Sequence, residues 1–255
     1  MVIFAFFPFM GLLEDLGRYI LLIKHGLVRP PNWRMYGKEL VRQMYDIGNG
    51  SIMIIGIIAI FIGAVTAVQF LYQLDNTLIP TWYIGYIVRD STIIELAPTI
   101  TCLVLAGKVG SNMASEVGGM RQKEHIDAME VMGVNTPSYL ILPKIVAAIL
   151  VIPLLVIIAA FVSIIGGYFA SVGGGFMNTQ EYVRGLRAFF IPYNLWMMLV
   201  KAVVFAFILT SVSTYQGYFV KGGSIELGKA STNAVVISNI LILVADYLIA
   251  LLFTT

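Results

Sequence analysis

The fold is decided by the uncharged stretch after Lys144, in which residues 145–171 read IVAAILVIPLLVIIAAFVSIIGGYFAS. No Asp, Glu, Lys or Arg occurs between Lys144 and Glu181. A helix needs about 20 consecutive apolar residues to cross the hydrocarbon core of a bilayer. Because this stretch is too long for one upright span, we predict a tilted membrane helix over about residues 139–171, followed by a glycine-rich turn at residues 173–175.

Four further segments are long and apolar enough to cross a membrane. They cover about residues 50–74, 92–114, 193–217 and 230–253. The composition agrees, because 59% of the chain is hydrophobic and only 12% is charged, whereas soluble domains carry roughly 25% charged residues. The sequence therefore predicts an all-α integral membrane protein with five transmembrane helices and no separate soluble domain.

The residues before the first span are predicted to form an N-terminal interfacial unit. The apolar residues that fall mainly on one face of a helix are Leu13, Leu16, Ile20, Leu21 and Leu27. The charged residues that lie largely away from this face are Glu14, Arg18 and Lys24. This pattern is typical of a helix lying in the membrane interface, which Pro30 and Pro31 would end. A second amphipathic stretch, residues 38–47, leads into span one. The predicted division is thus 1–49 and 50–255.

The distribution of lysine and arginine predicts the orientation, because cytoplasmic loops are enriched in both. Most of them lie before span one or in the loops that follow spans two and four: Arg18, Lys24, Arg29, Arg34, Lys38, Arg42, Arg121, Lys123, Lys221 and Lys229. The opposite side has Arg89, Arg184 and Arg187. We therefore expect the N-terminus in the cytoplasm, and five spans then place the C-terminus outside.

Small residues recur at every fourth position in three of the spans. The stripes are Ala59, Gly63 and Ala67 in span one, Ala106, Gly110, Ala114 and Gly118 at the end of span two, and Ala159, Ser163, Gly167 and Ser171 in span three. Such stripes allow helix backbones to approach closely in lipid. Two interpretations stay open at this point, namely packing inside the bundle or, for one stripe, the seam of a homodimer.

Glu95 is the first candidate for function, because a carboxylate in an apolar helix is costly and normally faces a cavity or a partner. Pro98 follows within a turn and would kink the helix. Glu95 would then line a substrate path; the alternative is a glutamate close enough to the outer surface to be hydrated. Lys108 and Lys201 can extend toward an interface and Asp246 can mark an end of span five, so these three receive mainly structural roles.

The polar loop at residues 115–137 is the most informative segment between spans. Residues 124–132 are compatible with a helix, which Gly133 would stop and Pro137 would prevent from continuing. Methionines suit adaptable binding surfaces, and the residues expected to contact a partner are Glu124, Ile126, Asp127, Met129, Glu130 and Met132. We predict a docking helix for a cytoplasmic partner; the alternative is an ordinary charged loop.

Missing motifs disfavour several function classes. The chain contains no P-loop and no His-Glu-x-x-His motif, so ATP chemistry would belong to another subunit. His25 and His125 fall in predicted cytoplasmic segments and Cys102 is the single cysteine, so no metal site is expected. The net charge of +2 gives no reason to expect nucleic acid. An intramembrane protease and a membrane scaffold without a transport path remain as alternatives to a transporter subunit.

Several ordered motifs carry a family resemblance. They are Glu95-Leu96-Ala97-Pro98, Ala106-Gly107-Lys108-Val109-Gly110-Ser111, Glu116 with Gly118-Gly119-Met120-Arg121, and Ile126-Asp127-Ala128-Met129-Glu130-Val131-Met132-Gly133-Val134. A second signature comprises Tyr215-Gln216-Gly217-Tyr218, Gly222-Gly223 and the run from Gly228 to Val236. Over about residues 50–253 the chain resembles the MlaE-type permeases of the Mla/Mce phospholipid ABC transporters.

The resemblance implies a non-catalytic permease subunit that works as a homodimer in the bacterial inner membrane. Its partners would be phospholipid, a cytoplasmic ATPase subunit that binds ATP and Mg²⁺, and a periplasmic MCE-domain protein; a small STAS-type cytoplasmic subunit stays open. The segment Gln122–Val134 would be the coupling helix that contacts the ATPase. No cofactor is expected in this chain itself.

The resemblance also implies a phospholipid pocket that opens to the periplasm. It would draw on the end of span one and on the first acidic residue of span two, namely Gln69, Phe70, Tyr72, Leu74 and Glu95. Many relatives carry an arginine directly before this glutamate, whereas this chain has Ile94. We hypothesise that Arg89 supplies the missing contact with the lipid phosphate.

Overall fold

The computed structural model describes residues 3–26, 33–74 and 80–254, with side chains described for 14–26, 36–74 and 80–253. The helices in these ranges are α1 (Ile3–Gly26), α2 (Trp33–Leu74), α3 (Tyr83–Ser91), α4 (Ala97–Leu105), α5 (Ser111–Gln122), α6 (His125–Val131), α7 (Thr136–Ser171), α8 (Thr179–Arg187), α9 (Tyr193–Tyr218) and α10 (Ser224–Thr254). Two π-helical segments, Thr92–Leu96 and Ala106–Gly110, join α3, α4 and α5 into one composite span.

Five helices of the described chain are long and apolar enough to cross a membrane. They are Tyr36–Leu74, Tyr83–Gln122, Thr136–Ser171, Tyr193–Tyr218 and Ser224–Phe253. The prediction of an all-α membrane protein with five such helices is confirmed. The second helix extends beyond its predicted bounds at both ends, because the polar residues flanking the apolar run continue in helical conformation.

Helix α2 includes more than the predicted span one. It runs without a break from Trp33 to Leu74, so the amphipathic stretch 38–47 and span one belong to a single helix. The predicted division at residues 49–50 falls inside this helix and stays a prediction. Gly48 and Gly50 each lower helix stability by roughly 1 kcal/mol relative to alanine, and tertiary contacts, such as the burial of Ile47, offset this cost.

Helix α1 packs against the bundle along one side only. Tyr19 Oη lies 2.7 Å from Ser211 Oγ of α9, and burial raises the pKa of Tyr19. Leu22 is buried, whereas Leu16, Ile20 and Leu21 are exposed. An uncovered apolar side is what a helix in the membrane interface requires, and that placement stays a prediction. The side chain of Leu13, and residues Leu27, Pro30 and Pro31, lie outside the described side chains.

The closest helix contact joins α2 to α7 through small residues of two predicted stripes. A Cβ on Gly63 would lie 1.7 Å from the carbonyl oxygen of Ser163, and a Cβ on Gly166 would lie 2.2 Å from the carbonyl oxygen of Ile60 in α2. The stripe of span two faces α9 instead, where a Cβ on Gly110 would lie 2.8 Å from Ser213 Oγ. All three stripes pack inside the bundle, so the structure does not support any of them as a homodimer seam.

The bundle has two ends that differ in their short helices. One, which we call the α8 end, carries the last residue of α7, the first residue of α9 and helix α8; we did not predict α8 from the sequence. Asn178 and Glu181 form a capping box at its start, and Tyr182 Oη donates a hydrogen bond to the carbonyl of Ile164 at 2.9 Å. The other, the α6 end, carries helix α6 and the loop between α9 and α10.

Candidate functional site

Three ionisable side chains from three different spans meet inside the bundle, and we call them the Lys201 triad. Lys201 Nζ of α9 lies 2.7 Å from Glu95 Oε2 in the first π segment and 2.6 Å from Asp246 Oδ1 of α10. The side chains of Lys201 and Asp246 are 0% and 9% exposed, whereas that of Glu95 is 49% exposed. Because an unpaired charge among membrane helices is costly, the two carboxylates are what permit a buried lysine here.

The backbone before Pro98 supplies the third contact of Lys201. Proline has no N–H to donate to the carbonyl four residues earlier, and its ring crowds that carbonyl. The carbonyl in question is that of Ile94, which accepts a hydrogen bond from Lys201 Nζ at 3.1 Å. Lys201 Nζ thus donates hydrogen bonds to Ile94 O and Glu95 Oε2 and forms an ion pair with Asp246. Pro98 therefore creates part of the lysine site.

The structure corrects two expectations about Lys201 and Asp246. Lys201 does not extend toward an interface, because the interior offers it two carboxylates and a carbonyl. Asp246 does not mark an end of span five, because α10 continues to Thr254 and Asp246 Oδ2 accepts a hydrogen bond from Thr99 Oγ1 at 3.1 Å. Lys108, in contrast, is exposed, and its extension toward an interface stays a prediction.

The depth of the triad bears on the role of Glu95. Lys201 and Asp246 lie about two turns inside the helix ends at Tyr193 and Thr254, which corresponds to roughly 12 Å along the helix axis. The role of Glu95 in lining a path stays a prediction. With both carboxylates ionised, the triad carries a net charge of −1, and Glu95 is its member at the chain surface.

The structure does not bring Glu95 together with the other predicted pocket residues in a single chain. The residues next to it, Leu96 and Ala97, line a small cavity with Ile62 of α2. Gln69 lies two turns farther along α2, about 10 Å toward the α8 end. The last part of α2 contains Gln69 together with Phe70 and Leu74, which are half-buried, and Tyr72, which is exposed. A pocket that includes both regions would need a second surface facing α2.

Arg89 is not available for the lipid contact that we hypothesised. Its guanidinium is buried and donates hydrogen bonds to the carbonyls of Leu186 at 2.6 Å, Ala188 at 2.9 Å and Phe189 at 3.3 Å, and it pairs with Asp90 at 2.7 Å. These carbonyls end α8, where a cation is favourable. Arg89 therefore holds α8 against α3, and the hypothesis of a phosphate contact is wrong.

Helix α6 lies inside the predicted segment 122–134 but is shorter than predicted. It begins after Glu124, which has φ +58°, and ends before Gly133, which has φ +78°. Positive φ is easy for glycine and unusual for glutamate. The predicted stop at Gly133 is confirmed in this sense, and the start is set by the turn at Glu124.

Four of the six predicted contact residues of α6 make contacts with the bundle, although Asp127 and Glu130 remain 48% and 46% exposed. Ile126 is buried and Met129 half-buried against the ends of α5, α7 and α9. Asp127 pairs with Arg121 of α5 at 2.8 Å. Glu130 Oε1 accepts hydrogen bonds from Tyr218 Oη at 2.8 Å and Thr136 Oγ1 at 3.1 Å. Sequence could not separate these faces, because a seven-residue helix shows barely two turns of pattern.

The exposed residues of α6 and its two ends form its outward surface. They are Glu124, His125, Ala128, Glu130, Val131 and Met132, of which Val131 is 89% exposed. Glu124, Glu130 and Met132 were predicted as contacts, and their contact with a partner stays a prediction. An exposed valine next to an exposed methionine, on a helix braced by its other face, is a surface suited to a protein partner.

A second buried lysine lies near the α6 end. Lys144 Nζ of α7 is 2.5 Å from Glu116 Oε2 of α5, and the two side chains are 3% and 41% exposed. We call them the Lys144 pair. Like the triad, it joins a buried lysine to a partly exposed glutamate of the composite span.

Comparison with known proteins decides the family. The sequence profile described as Permease MlaE matches residues 40–252. The chain belongs to the MlaE permease family. A probable ABC transporter permease protein of Rickettsia bellii is 36% identical over 227 residues, which cover 89% of this chain and 86% of the relative. The intermembrane phospholipid transport system permease protein MlaE of Haemophilus influenzae is 29% identical over 235 residues, covering 92% and 90%.

The chain is thus an ABC transporter permease of the MlaE family and an integral membrane protein. Its relatives are named as permease components, which is consistent with a non-catalytic subunit. The motifs that carried the resemblance map onto both sites described above. Glu95 to Pro98 form one wall of the Lys201 triad, Ile126 to Val134 include α6, and Tyr218 of the second signature holds α6 through Glu130.

Proposed function

We propose that this MlaE-family chain is the membrane-spanning subunit of an ABC system that moves phospholipid between the inner membrane and a periplasmic MCE-domain carrier. A separate ATPase subunit would bind ATP and Mg²⁺ and supply the energy. The N-terminus would lie in the cytoplasm and the C-terminus in the periplasm, so the α6 end is cytoplasmic and the α8 end periplasmic.

The observation that carries this proposal is the partly exposed carboxylate of Glu95, which is paired with the buried Lys201 inside the bundle. A carboxylate at the surface of a membrane helix needs a polar cavity or a partner. Glu95 lies roughly 12 Å inside the α8 end, and its side chain is 49% exposed in a single chain. A cavity between two copies would enclose it, and this supports a homodimer with Glu95 facing a shared path.

The exposed side of α2 supports lipid as the cargo. Between Glu95 and the α8 end, α2 presents exposed apolar side chains, including Phe61, Val65 and Val68. Burial of acyl chains contributes about 0.8 kcal/mol per CH₂. The proposed path therefore runs from Glu95 along this side of α2 to Gln69, Phe70, Tyr72 and Leu74.

The bracing of α6 supports a coupling role. Its inner face is tied to α5 through Arg121, to α7 through Thr136 and to α9 through Tyr218. A displacement of α6 by a moving ATPase would therefore reach three spans at once. Such a displacement can shift the lipid cavity only if the ATPase binds its two states with different affinity.

The test is ATP-dependent transfer of a fluorescent phospholipid by the reconstituted complex of permease, ATPase and MCE-domain protein. Glu95→Gln should lower the transfer rate about tenfold, a loss of 1.4 kcal/mol, because the charge facing the path is removed. Glu116→Gln is the matched control, since Glu116 is also a partly exposed glutamate beside a buried lysine. Transfer at the wild-type rate by Glu95→Gln would refute the role of Glu95.

Co-purification of the ATPase tests the coupling surface separately. Val131→Asp together with Met132→Asp places charge on the outward face and should release the ATPase, because neither residue supports the bundle. Glu130→Gln, which alters the hydrogen bonds to Tyr218 and Thr136 and leaves Val131 and Met132 unchanged, is the control and should retain the ATPase. If the double variant still binds the ATPase, the next candidate for the docking surface is the loop at residues 217–229. If wild-type permease binds no ATPase in mild detergent, a membrane scaffold without a transport path is favoured.

A further inference from the structure

The α8 end carries a polar surface that the proposed function does not use. Helix α8 and the residues after it, 179–191, form what we call the α8 ledge. Two arginines, Arg184 and Arg187, are exposed on it. They line an open groove together with neutral residues of the same helix and the residue after it, namely Thr179, Gln180, Val183 and Ala188.

The ledge is a fixed part of the fold. A Cβ on Gly185 would lie 2.1 Å from the carbonyl oxygen of Trp82, so the backbones of α3 and α8 touch. Tyr182 is buried and bonded to α7, its pKa is raised by burial, and Arg89 caps the end of the helix. The strained turn at Phe189, with φ +50°, is held by the hydrogen bond between its carbonyl and Arg89. The two exposed arginines are therefore presented from a rigid base.

The positive charge of the ledge is not neutralised within the described part of the chain. No carboxylate there lies within ion-pair distance of Arg184 or Arg187. The one acidic residue of α8, Glu181, accepts hydrogen bonds from Thr81 Oγ1 at 3.0 Å and from the backbone N–H of Asn178 at 3.4 Å. Arg184 lies over the ring of Trp82, 5.4 Å from its centroid, which orients the guanidinium without neutralising it.

Exposed aromatic side chains surround the ledge. They are Phe176, Phe189, Phe190, Tyr193 and Trp196, together with the aliphatic Ile191. Aromatic residues collect at the level of lipid headgroups in membrane proteins. The two arginines therefore lie where the phosphates of a leaflet are found, with apolar surface directly beside them.

We propose that the α8 ledge binds a phospholipid of the surrounding leaflet, with its headgroup phosphate on Arg184 and Arg187 and its acyl chains along Phe189, Phe190 and Ile191. Guanidinium groups bind phosphate through paired hydrogen bonds, and the site offers charge complementary to a phosphate next to apolar surface. This site goes beyond the proposed function, because lipid binding here requires neither ATP nor transport.

Fluorescence of Trp82 provides the test, since Trp82 lies against Arg184. The chain has three tryptophans, so Trp33→Phe with Trp196→Phe leaves Trp82 alone. This protein, in neutral detergent, is titrated with phosphatidylglycerol or diacylglycerol carrying brominated acyl chains. We expect phosphatidylglycerol to quench at much lower concentration. Arg187→Gln, which leaves the Arg184–Trp82 contact intact, should raise its half-quenching concentration about fivefold and leave diacylglycerol unchanged.

The controls separate this site from weaker explanations. Lys221→Gln removes an exposed cation at the opposite end and should change nothing. Equal quenching by both lipids overturns the proposal. An unchanged half-quenching concentration in both the Arg187→Gln variant and the Arg184→Gln, Arg187→Gln double variant also overturns it. Displacement of the lipid by millimolar inorganic phosphate would show a site for free anions and also overturns it. These titrations contain no ATPase, so they stand or fall independently of the transfer assay.

Discussion

The described part of this permease buries two lysines, Lys144 and Lys201, and their charges are paired with different numbers of carboxylates. Lys144 faces one glutamate, Glu116, and the pair is neutral. Lys201 faces Glu95 and Asp246, and the triad carries a net charge of −1 when both carboxylates are ionised. In both sites the glutamate belongs to the composite span and is about half exposed. A single carboxylate is therefore sufficient to bury a lysine in this fold.

The additional carboxylate of the triad consequently needs a reason other than lysine burial. Asp246 shares the charge of Lys201 with Glu95, so Glu95 is held less tightly than Glu116 is by Lys144. A loosely held charge at the chain surface can interact with a ligand or a partner, whereas a neutral pair mainly holds two helices together. We expect substitutions at the two lysines to expose this difference.

The largest effect is expected from Lys201→Met, because it leaves two carboxylates close together inside the bundle. Breaking a buried ion pair by removing one partner costs about 3–5 kcal/mol. Lys144→Met leaves one glutamate that water can reach, so its cost should be nearer 1–2 kcal/mol. Unfolding in detergent measures both free energies, and an equal loss would contradict the distinction between the two sites.

Asp246→Asn should change function more than stability. The amide keeps the shape of the side chain, so the free energy of unfolding should fall by no more than about 1.5 kcal/mol. Phospholipid transfer should fall about tenfold, because Lys201 would then pair with Glu95 alone and withdraw it from the path. Wild-type transfer would mean that Asp246 serves the fold and not the path.

Thr99→Val should have a smaller effect on stability. It removes the hydrogen bond from Thr99 to Asp246 Oδ2, a loss of about 1 kcal/mol. Thr66→Val is the control, since Thr66 bonds only the carbonyl of Ile62 in its own helix. Thermal unfolding of the two variants side by side measures the difference, and identical melting temperatures would argue against a structural role for the Thr99 hydroxyl.

Pro98→Ala is expected to have the smallest effect, for an instructive reason. Replacing a proline inside a helix ordinarily recovers up to about 3 kcal/mol. Here the freed carbonyl of Ile94 already accepts a hydrogen bond from Lys201, so the new amide would compete for an occupied acceptor. We expect a change below about 1 kcal/mol, and a gain near the full value in chemical unfolding would contradict the assigned role of Pro98.

The spans could be predicted from sequence because membrane crossing depends on length and composition, which a single segment reveals. The Lys201 triad could not, because it depends on how three spans are rotated about their axes. Lys201 and Asp246 each occur as an isolated charge in an apolar run, and the local sequence does not identify the residue with which each is paired. Pro98 did indicate part of the site, because a proline inside a span leaves a carbonyl without its helical donor and therefore available to another group.

Two features at the bundle ends were missed for a similar reason. Helix α8 was missed although Asn178 and Glu181 show the spacing of a capping box, because the apolar runs that define spans leave the residues between them as loop. The hydrogen bond from Tyr218 to Glu130, which braces α6, was missed because the two residues are distant in sequence and meet only in the fold.

The backbone contact between Gly63 and Ser163 determines how the bundle can move. Where two helices touch without intervening side chains, neither can slide by one residue without driving a larger neighbour into the opposite backbone. Helices α2 and α7 are therefore expected to move as one rigid pair. An opening or closing movement of the bundle must therefore change the helices that pack beside this pair. The composite span is the place for such a change, because its two π segments already depart from regular α-helical geometry.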